Sequence, residues 1–251
     1  MAKILFLRKQ GTNMKRAVVL FMSCGLLGSY VVAQQPEAAA KQASAHRMST
    51  TQQMPSAHAI WAALMEGNKR FVAGKPKLRD LVSLRGSLAE SQHPNVVVLT
   101  CSDSRVSPEV LFDQSLGDLF VIRSAGNIAD AIGVGSIEYA VEHLGSSVLV
   151  ILGHTKCGAV TAACSKEKMP TPNLQAIVDK IGPAVSRVGE SVTGDALVEA
   201  AIKENVHQSA KDVLASSQVL RDLVAQDKLT VFEAEYQLDT GQVVRLDAGR
   251  K

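Results

Sequence analysis

The stretch NVVVLTCSDSR at residues 95–105 decides the fold. Its first half, Val96 to Thr100, is a short continuous β-branched and aliphatic run. Such a run predicts a strand buried on both faces, as in a parallel sheet, rather than an alternating surface strand. Leu119 to Ile122 and SVLVIL at 147–152 repeat the pattern. Between them, Ile137, Ala140 and Val141 fall at helical spacing within 133–144, and Gly145 follows as a stop signal. Helical patterns are also expected at 56–72, 78–91, 174–188 and 195–226. The chain closes on strand-like segments at 229–238 and 242–246 around Asp239-Thr240-Gly241. Strands alternating with helices at this spacing imply right-handed crossovers. The expected class is α/β: a central, mostly parallel sheet flanked by helices, with an N-terminal helical arm and a C-terminal strand extension.

The second half of the opening stretch carries chemistry. Cys101, Asp103 and Arg105 follow the first strand directly, and His154 and Cys157 follow the third. In open α/β sheets, ligands gather at the carboxyl ends of strands. If the two strands are neighbours, Cys101, His154 and Cys157 meet. Two thiolates and an imidazole suit zinc, with a fourth position left for water or for Asp103. A Cys101–Cys157 disulfide, or two small buried cysteines beside a structural histidine, is the competing reading. Neither alternative gives Asp103 and Arg105 a task. Cys164, two helical turns beyond Cys157, is expected to pack in the core. No companion for metal binding is evident near His46, His58, His93, His143 or His207.

Charge distribution narrows the partners. The 251 residues carry a formal charge of +3, but residues 1–33 hold five of the 27 basic residues and none of the 24 acidic ones. Residues 34–251 therefore carry −2, which argues against a phosphate-tracking surface and a nucleic-acid partner. Aromatic residues make up only 4% of the chain, too few for a surface that stacks bases or sugars. Met14-Lys15-Arg16, the uncharged run 17–33 and Val31-x-Ala33 together predict a secretory signal at 1–33. A membrane anchor is the alternative for a run of this length, and either Met1 or Met14 could be the initiator. Cys24 has a poor lead-in for lipidation. An Ala/Gln/Ser-rich linker is expected at 34–55, then a single domain at 56–251. Cleavage would leave a periplasmic or secreted protein with no membrane attachment.

Three blocks, CSDSR at 101–105, RSAGN at 123–127 and HTKCG at 154–158, resemble the signature blocks of β-class carbonic anhydrases. LMEGNKRF at 64–71, the helix at 133–145 and Leu238 to Gly241 extend the likeness over about 56–246. The resemblance implies Cys101, His154 and Cys157 as ligands of one zinc ion per subunit, with Asp103 joining them only in a closed state. It implies reversible hydration of CO2 to bicarbonate and a proton, and a homodimer or homotetramer. Asp103 and Arg105 would be the catalytic pair, orienting the attacking hydroxide and gating the fourth zinc position. Two thiolates neutralise Zn2+ formally, so this pair is also expected to offset a weaker acidifying power. A CS2 or COS hydrolase on the same fold, or a non-catalytic zinc or thiol protein, is the alternative function. Val98 stands where some members place a tryptophan of a bicarbonate pocket, so that pocket is expected to be incomplete despite Arg123. Gln114 lies near a family glutamine that reaches the partner's site. The helix around Trp61 and Leu64 either clasps a partner or packs on its own chain.

Overall fold

The computed structural model describes residues 55–246; the signal expected at 1–33 and nearly all of the linker expected at 34–55 lie outside them. The first helix, α1 (Ala57–Val72), starts where Ser56 Oγ accepts from Ala59 N. It is followed by α2 (Leu81–Ser87), β1 (Val96–Cys101), α3 (Pro108–Leu111), β2 (Leu119–Ser124) and a 3-10 turn at Ala125–Asn127. Next come α4 (Ala131–His143), β3 (Val148–His154), α5 (Gly158–Ser165), α6 (Pro172–Val188), α7 (Gly194–Ser216) and α8 (Gln218–Ala225). The chain then forms β4 (Thr230–Tyr236) and β5 (Val243–Arg245). None of the described helices is long and apolar enough to cross a membrane.

The five strands lie in the order β2-β1-β3-β4-β5. The first four are parallel, and β5 returns antiparallel to β4. Every residue of β1 and β3 is buried, as their unbroken apolar runs require. The period-2 alternation divides those runs between two layers. Val96, Val98, Val148, Val150 and Leu152 face one core with Phe112 and Phe232. Val97, Leu99, Leu149 and Ile151 face the other, against α4 and α7. Burying each such side chain stabilises the fold by about 1.5–3 kcal/mol before the entropy of ordering is counted. β1 and β3 are therefore the most firmly held part of the sheet, and both end at the candidate site.

The N-terminal helix packs on its own chain. Ile60, Trp61 and Leu64 of α1 are buried in the first core, and Trp61 stacks on Phe232 with ring centroids 4.9 Å apart. Gly67 allows the close approach of α1 to α3, because a Cβ there would sit 1.8 Å from the Phe112 carbonyl oxygen. Asn68 locks the same contact, donating to Leu111 O and Gly241 O while accepting from Val243 N. Asp113 anchors the segment after α1: its carboxylate accepts from Arg70 Nε at 2.5 Å and Arg79 Nη1 at 2.7 Å.

Two helices differ from expectation. The one expected over 78–91 is only α2, because it buries no side chain and rests on its Asp80 N-cap. A short helix without an apolar face to bury has little beyond its cap to extend it. The helix expected over 195–226 breaks at Ser217, whose backbone is extended at φ −132°, ψ 114°. Ser217 Oγ accepts from Leu220 N and so starts α8 as a separate helix. Beyond the expected elements is the short α3, while α5 is the helix that the spacing of Cys157 and Cys164 implied.

Candidate metal centre

β1 and β3 are adjacent, with Thr100 opposite Leu152, so the residues that follow each strand open onto the same end of the sheet. The Thr100 hydroxyl donates to Leu152 O at 2.9 Å, tying the two strand ends together beneath the site. Cys101 is the last residue of β1 and His154 the last of β3. Beyond His154, Lys156 turns the chain at φ 56°, which delivers Cys157 to the N-cap of α5. Cys101 Sγ, Cys157 Sγ and a His154 ring nitrogen lie within 4.8 Å of one another, and all three residues are buried. The cysteines are free thiols, so the disulfide reading does not hold.

Donor chemistry and geometry fit zinc. His154 Nδ1 donates to Thr155 O at 2.9 Å, leaving the Nε2 lone pair for a ligand. Nε2 is buried without a hydrogen-bond partner, a costly arrangement unless something else takes the lone pair. Two thiolates and an imidazole are a common zinc donor set. The Cys101 thiol is pulled down to about 4, first by the Cys157 thiol and then, against burial, by His154 and the Gly126 N–H. Cys157, its partner in sharing one proton, is pushed up by Cys101 and by burial. The N–H groups of Ala159 and Val160 at the start of α5 act on Cys157 in the opposite sense, favouring thiolate. Burial works most strongly against a charged His154, but Cys101, the Thr155 carbonyl and Asp103 together outweigh it, so the net direction is upward.

Asp103 stays outside this triad. Arg105 Nε donates to Asp103 Oδ1 at 2.9 Å and Nη2 to Oδ2 at 2.7 Å, a bidentate fork. The Arg105 backbone N–H adds a third bond to Oδ1. These bonds hold the carboxyl well below the usual carboxylate range. Oδ2 accepts only one of them and lies 3.9 Å from His154 Nε2, so its free lone pair is close to the metal-binding side of the imidazole. Asp103 is half-buried while the Arg105 side chain reaches solvent.

Residues outside the candidate set also shape the site. Arg123 of β2 donates to Cys101 O at 3.1 Å and to Asp103 O at 2.6 Å, bracing the loop that carries both. Gly126 N donates to Cys101 Sγ at 3.3 Å. Sequence inspection marked the 123–127 block without giving Gly126 a task, and it missed Asn205, which holds Gly126 from α7. The available signal was an asparagine among Ala201, Ile202 and Val206 on the buried side of α7. Val98 is fully buried in the first core. Gln114 turns back onto its own chain, Nε2 donating to Phe112 O at 2.7 Å. Cys164 is half-buried against the core formed by α5, α6 and α7, as expected. His207, for which no metal-binding companion was expected, faces Glu233 at 3.1 Å from Nδ1.

Residues 96–243 match the family model described as carbonic anhydrase. The chain is 39% identical to carbonic anhydrase 2 of Mycobacterium tuberculosis over 193 residues, covering 75% of this chain and 92% of that protein. It is 32% identical to the carbonic anhydrase of Synechococcus elongatus over 73% of this chain and 70% of that one. Among solved structures, the β-carbonic anhydrase CafA of Aspergillus fumigatus superposes with a TM-score of 0.60 at 28% identity, covering 76% of this chain and 92% of that one. The Coccomyxa β-carbonic anhydrase shares the fold with a TM-score of 0.61 at 24% identity, over 78% and 87% of the two chains. These likenesses do not favour a CS2 or COS hydrolase or a non-catalytic zinc protein. With its Cys-His-Cys triad at the ends of β1 and β3, the chain belongs to the β class of the carbonic anhydrase family.

Proposed function

We propose that the zinc-dependent, reversible hydration of CO2 catalysed by this chain runs on five side chains. Cys101, His154 and Cys157 hold one zinc ion, and Asp103 with Arg105 directs the nucleophile. The observation that carries this assignment is the unpartnered His154 Nε2 between two thiols, with Asp103 held aside by a bidentate arginine. The chemistry a zinc ion supplies in such a site is Lewis acidity, which lowers the pKa of water enough to furnish hydroxide near neutral pH.

The chain's own residues do the rest. Arg105 fixes Asp103 so that Oδ2 accepts the O–H of the nucleophile and leaves an oxygen lone pair directed at the CO2 carbon. The arginine fork also prevents the carboxylate from turning into the triad, where it would occupy the fourth ligand position. Arg123 prevents the 101–103 backbone from shifting as substrate enters. The net reaction converts CO2 and water to bicarbonate and a proton. The bicarbonate pocket of some family members is incomplete in this chain, since Val98 offers no polar contact and Arg123 is committed to backbone carbonyls. Stopped-flow CO2 hydration at rising bicarbonate concentration therefore gives simple product inhibition. Cooperative inhibition with protein-driven loss of the active form would contradict the assignment of Val98.

We also propose that the chain is exported and oligomeric. Export is supported by the basic residues ahead of the uncharged run 17–33 and by Val31-x-Ala33 before Gln34. The exposed apolar side chains Leu78, Leu81 and Val82, clustered in sequence at the start of α2, support a second copy. Protein recovered from the periplasm or medium is expected to begin at Gln34 and to elute as a dimer or tetramer. An intact leader on a monomer would refute both.

A further inference from the structure

Behind Cys101 the structure places a buried polar chain that the five-residue assignment does not use. The turn at Ala125–Asn127 carries Gly126 at φ +75°, and a Cβ there would lie 2.7 Å from Ile181 Cδ1. Both facts restrict the position to glycine, and together they present the Gly126 N–H to Cys101 Sγ at 3.3 Å. The other side of the same residue is held from α7. Asn205 Nδ2 donates to Gly126 O at 2.7 Å, reaches Asn127 Oδ1 at 3.4 Å, and Asn127 Nδ2 reaches Ser209 Oγ at 3.4 Å.

Asn205 is 1% exposed and its Oδ1 is buried without a partner. A half-satisfied buried amide is a poor way to stabilise a helix interface, where an apolar side chain would serve better. The close approach of α7 to the site is instead set by Gly153 of β3, since a Cβ there would lie 2.5 Å from Val206 Cγ2. Packing thus has its own device, and the short bond from Asn205 to Gly126 O is left as a positional one.

We propose that Asn205 is a positioning residue for the metal centre: it holds the Gly126 peptide so that its N–H stays on Cys101 Sγ. An N–H donated to a thiolate withdraws charge from the sulfur and lowers its donation to a bound metal. In a site with two thiolates, that withdrawal keeps the metal acidic enough to serve. The inference rests on the reading of Cys101 as a ligand.

The test uses the cobalt(II)-substituted full chain and its near-ultraviolet thiolate-to-cobalt charge-transfer band, with the pH profile of CO2 hydration on the zinc form. Asn205→Leu removes the donor while keeping the branched shape, and Asn205→Ser removes the reach without apolar bulk, so one remains informative if the other misfolds. Both are expected to shift the band to longer wavelength and the pH midpoint upward. Ile202→Val, a packing change on the same helix, is expected to move neither. Folded Asn205 variants with the parent's band and pH midpoint would overturn the inference. A parent protein lacking any thiolate band would instead overturn the ligand assignment itself, and the inference with it.

Discussion

His154→Gln protein is expected to purify with almost no zinc and to lose CO2 hydration to the level of buffer. Removing groups that merely orient metal ligands costs about 10–100-fold in metal affinity or activity, and the loss of a ligand must exceed that. The imidazole is fully buried with Nδ1 committed to Thr155 O, and the nearby carboxylate of Asp103 is held aside by the Arg105 fork. Cys101→Ser and Cys157→Ser should behave alike, since a serine hydroxyl is not ionised at neutral pH and is a harder donor than thiolate. The three variants share a site but not a packing role: Cys101 closes β1, His154 closes β3 and Cys157 caps α5. A common loss of zinc with retained secondary structure by circular dichroism would therefore report the metal rather than the fold. Full zinc content in any one of them would remove that residue from the ligand set.

Arg105→Ala should be the most damaging change outside the ligands. It deletes two side-chain bonds to Asp103 and leaves only the backbone N–H of residue 105 on Oδ1. Asp103 then gains freedom to turn toward the triad, 3.9 Å away at His154 Nε2. The expected outcome is a fall in kcat of about 100-fold or more, the range found when a preorganised polar group is removed from an active site, with zinc content unchanged. The pH dependence follows from the direction of the Asp103 shift. A depressed carboxyl keeps its ionised, stabilised form above its ordinary value and loses it only as pH falls through the lower, folded-state value. Without Arg105 that value rises, so whatever activity remains should fail at a higher pH on the acid side. Arg105→Lys, a point charge without the planar fork, should recover only part of the rate. Unchanged kcat in Arg105→Ala would end the orienting role of the pair.

Much of this was legible in the sequence because the decisive residues are local. Cys101, Asp103 and Arg105 fall within five consecutive positions after one apolar run, and His154 and Cys157 span four after another. Parallel pairing of the two runs was enough to join them, and their uniform burial made that pairing readable. Asn205 was not legible in the same way, because its partner Gly126 is 79 residues distant and nothing local marks the pairing. The break at Ser217 is similar: α7 and α8 carry one continuous helical pattern, and the bend appears only in the Ser217 cap and its bond to Glu138. The short reach of α2 reflects the opposite case, a helical pattern with no core to pack against. The pairing of His207 with Glu233 was likewise not legible, because Glu233 comes from a strand 26 residues later.

Zinc titrated into metal-free protein, with CO2 hydration followed by stopped flow, tests the central claim most directly. Activity should rise linearly and stop rising at one zinc per chain. Hydration that is already complete without added metal, or that shows no break at that ratio, would contradict a single Cys101-His154-Cys157 zinc centre as the seat of catalysis.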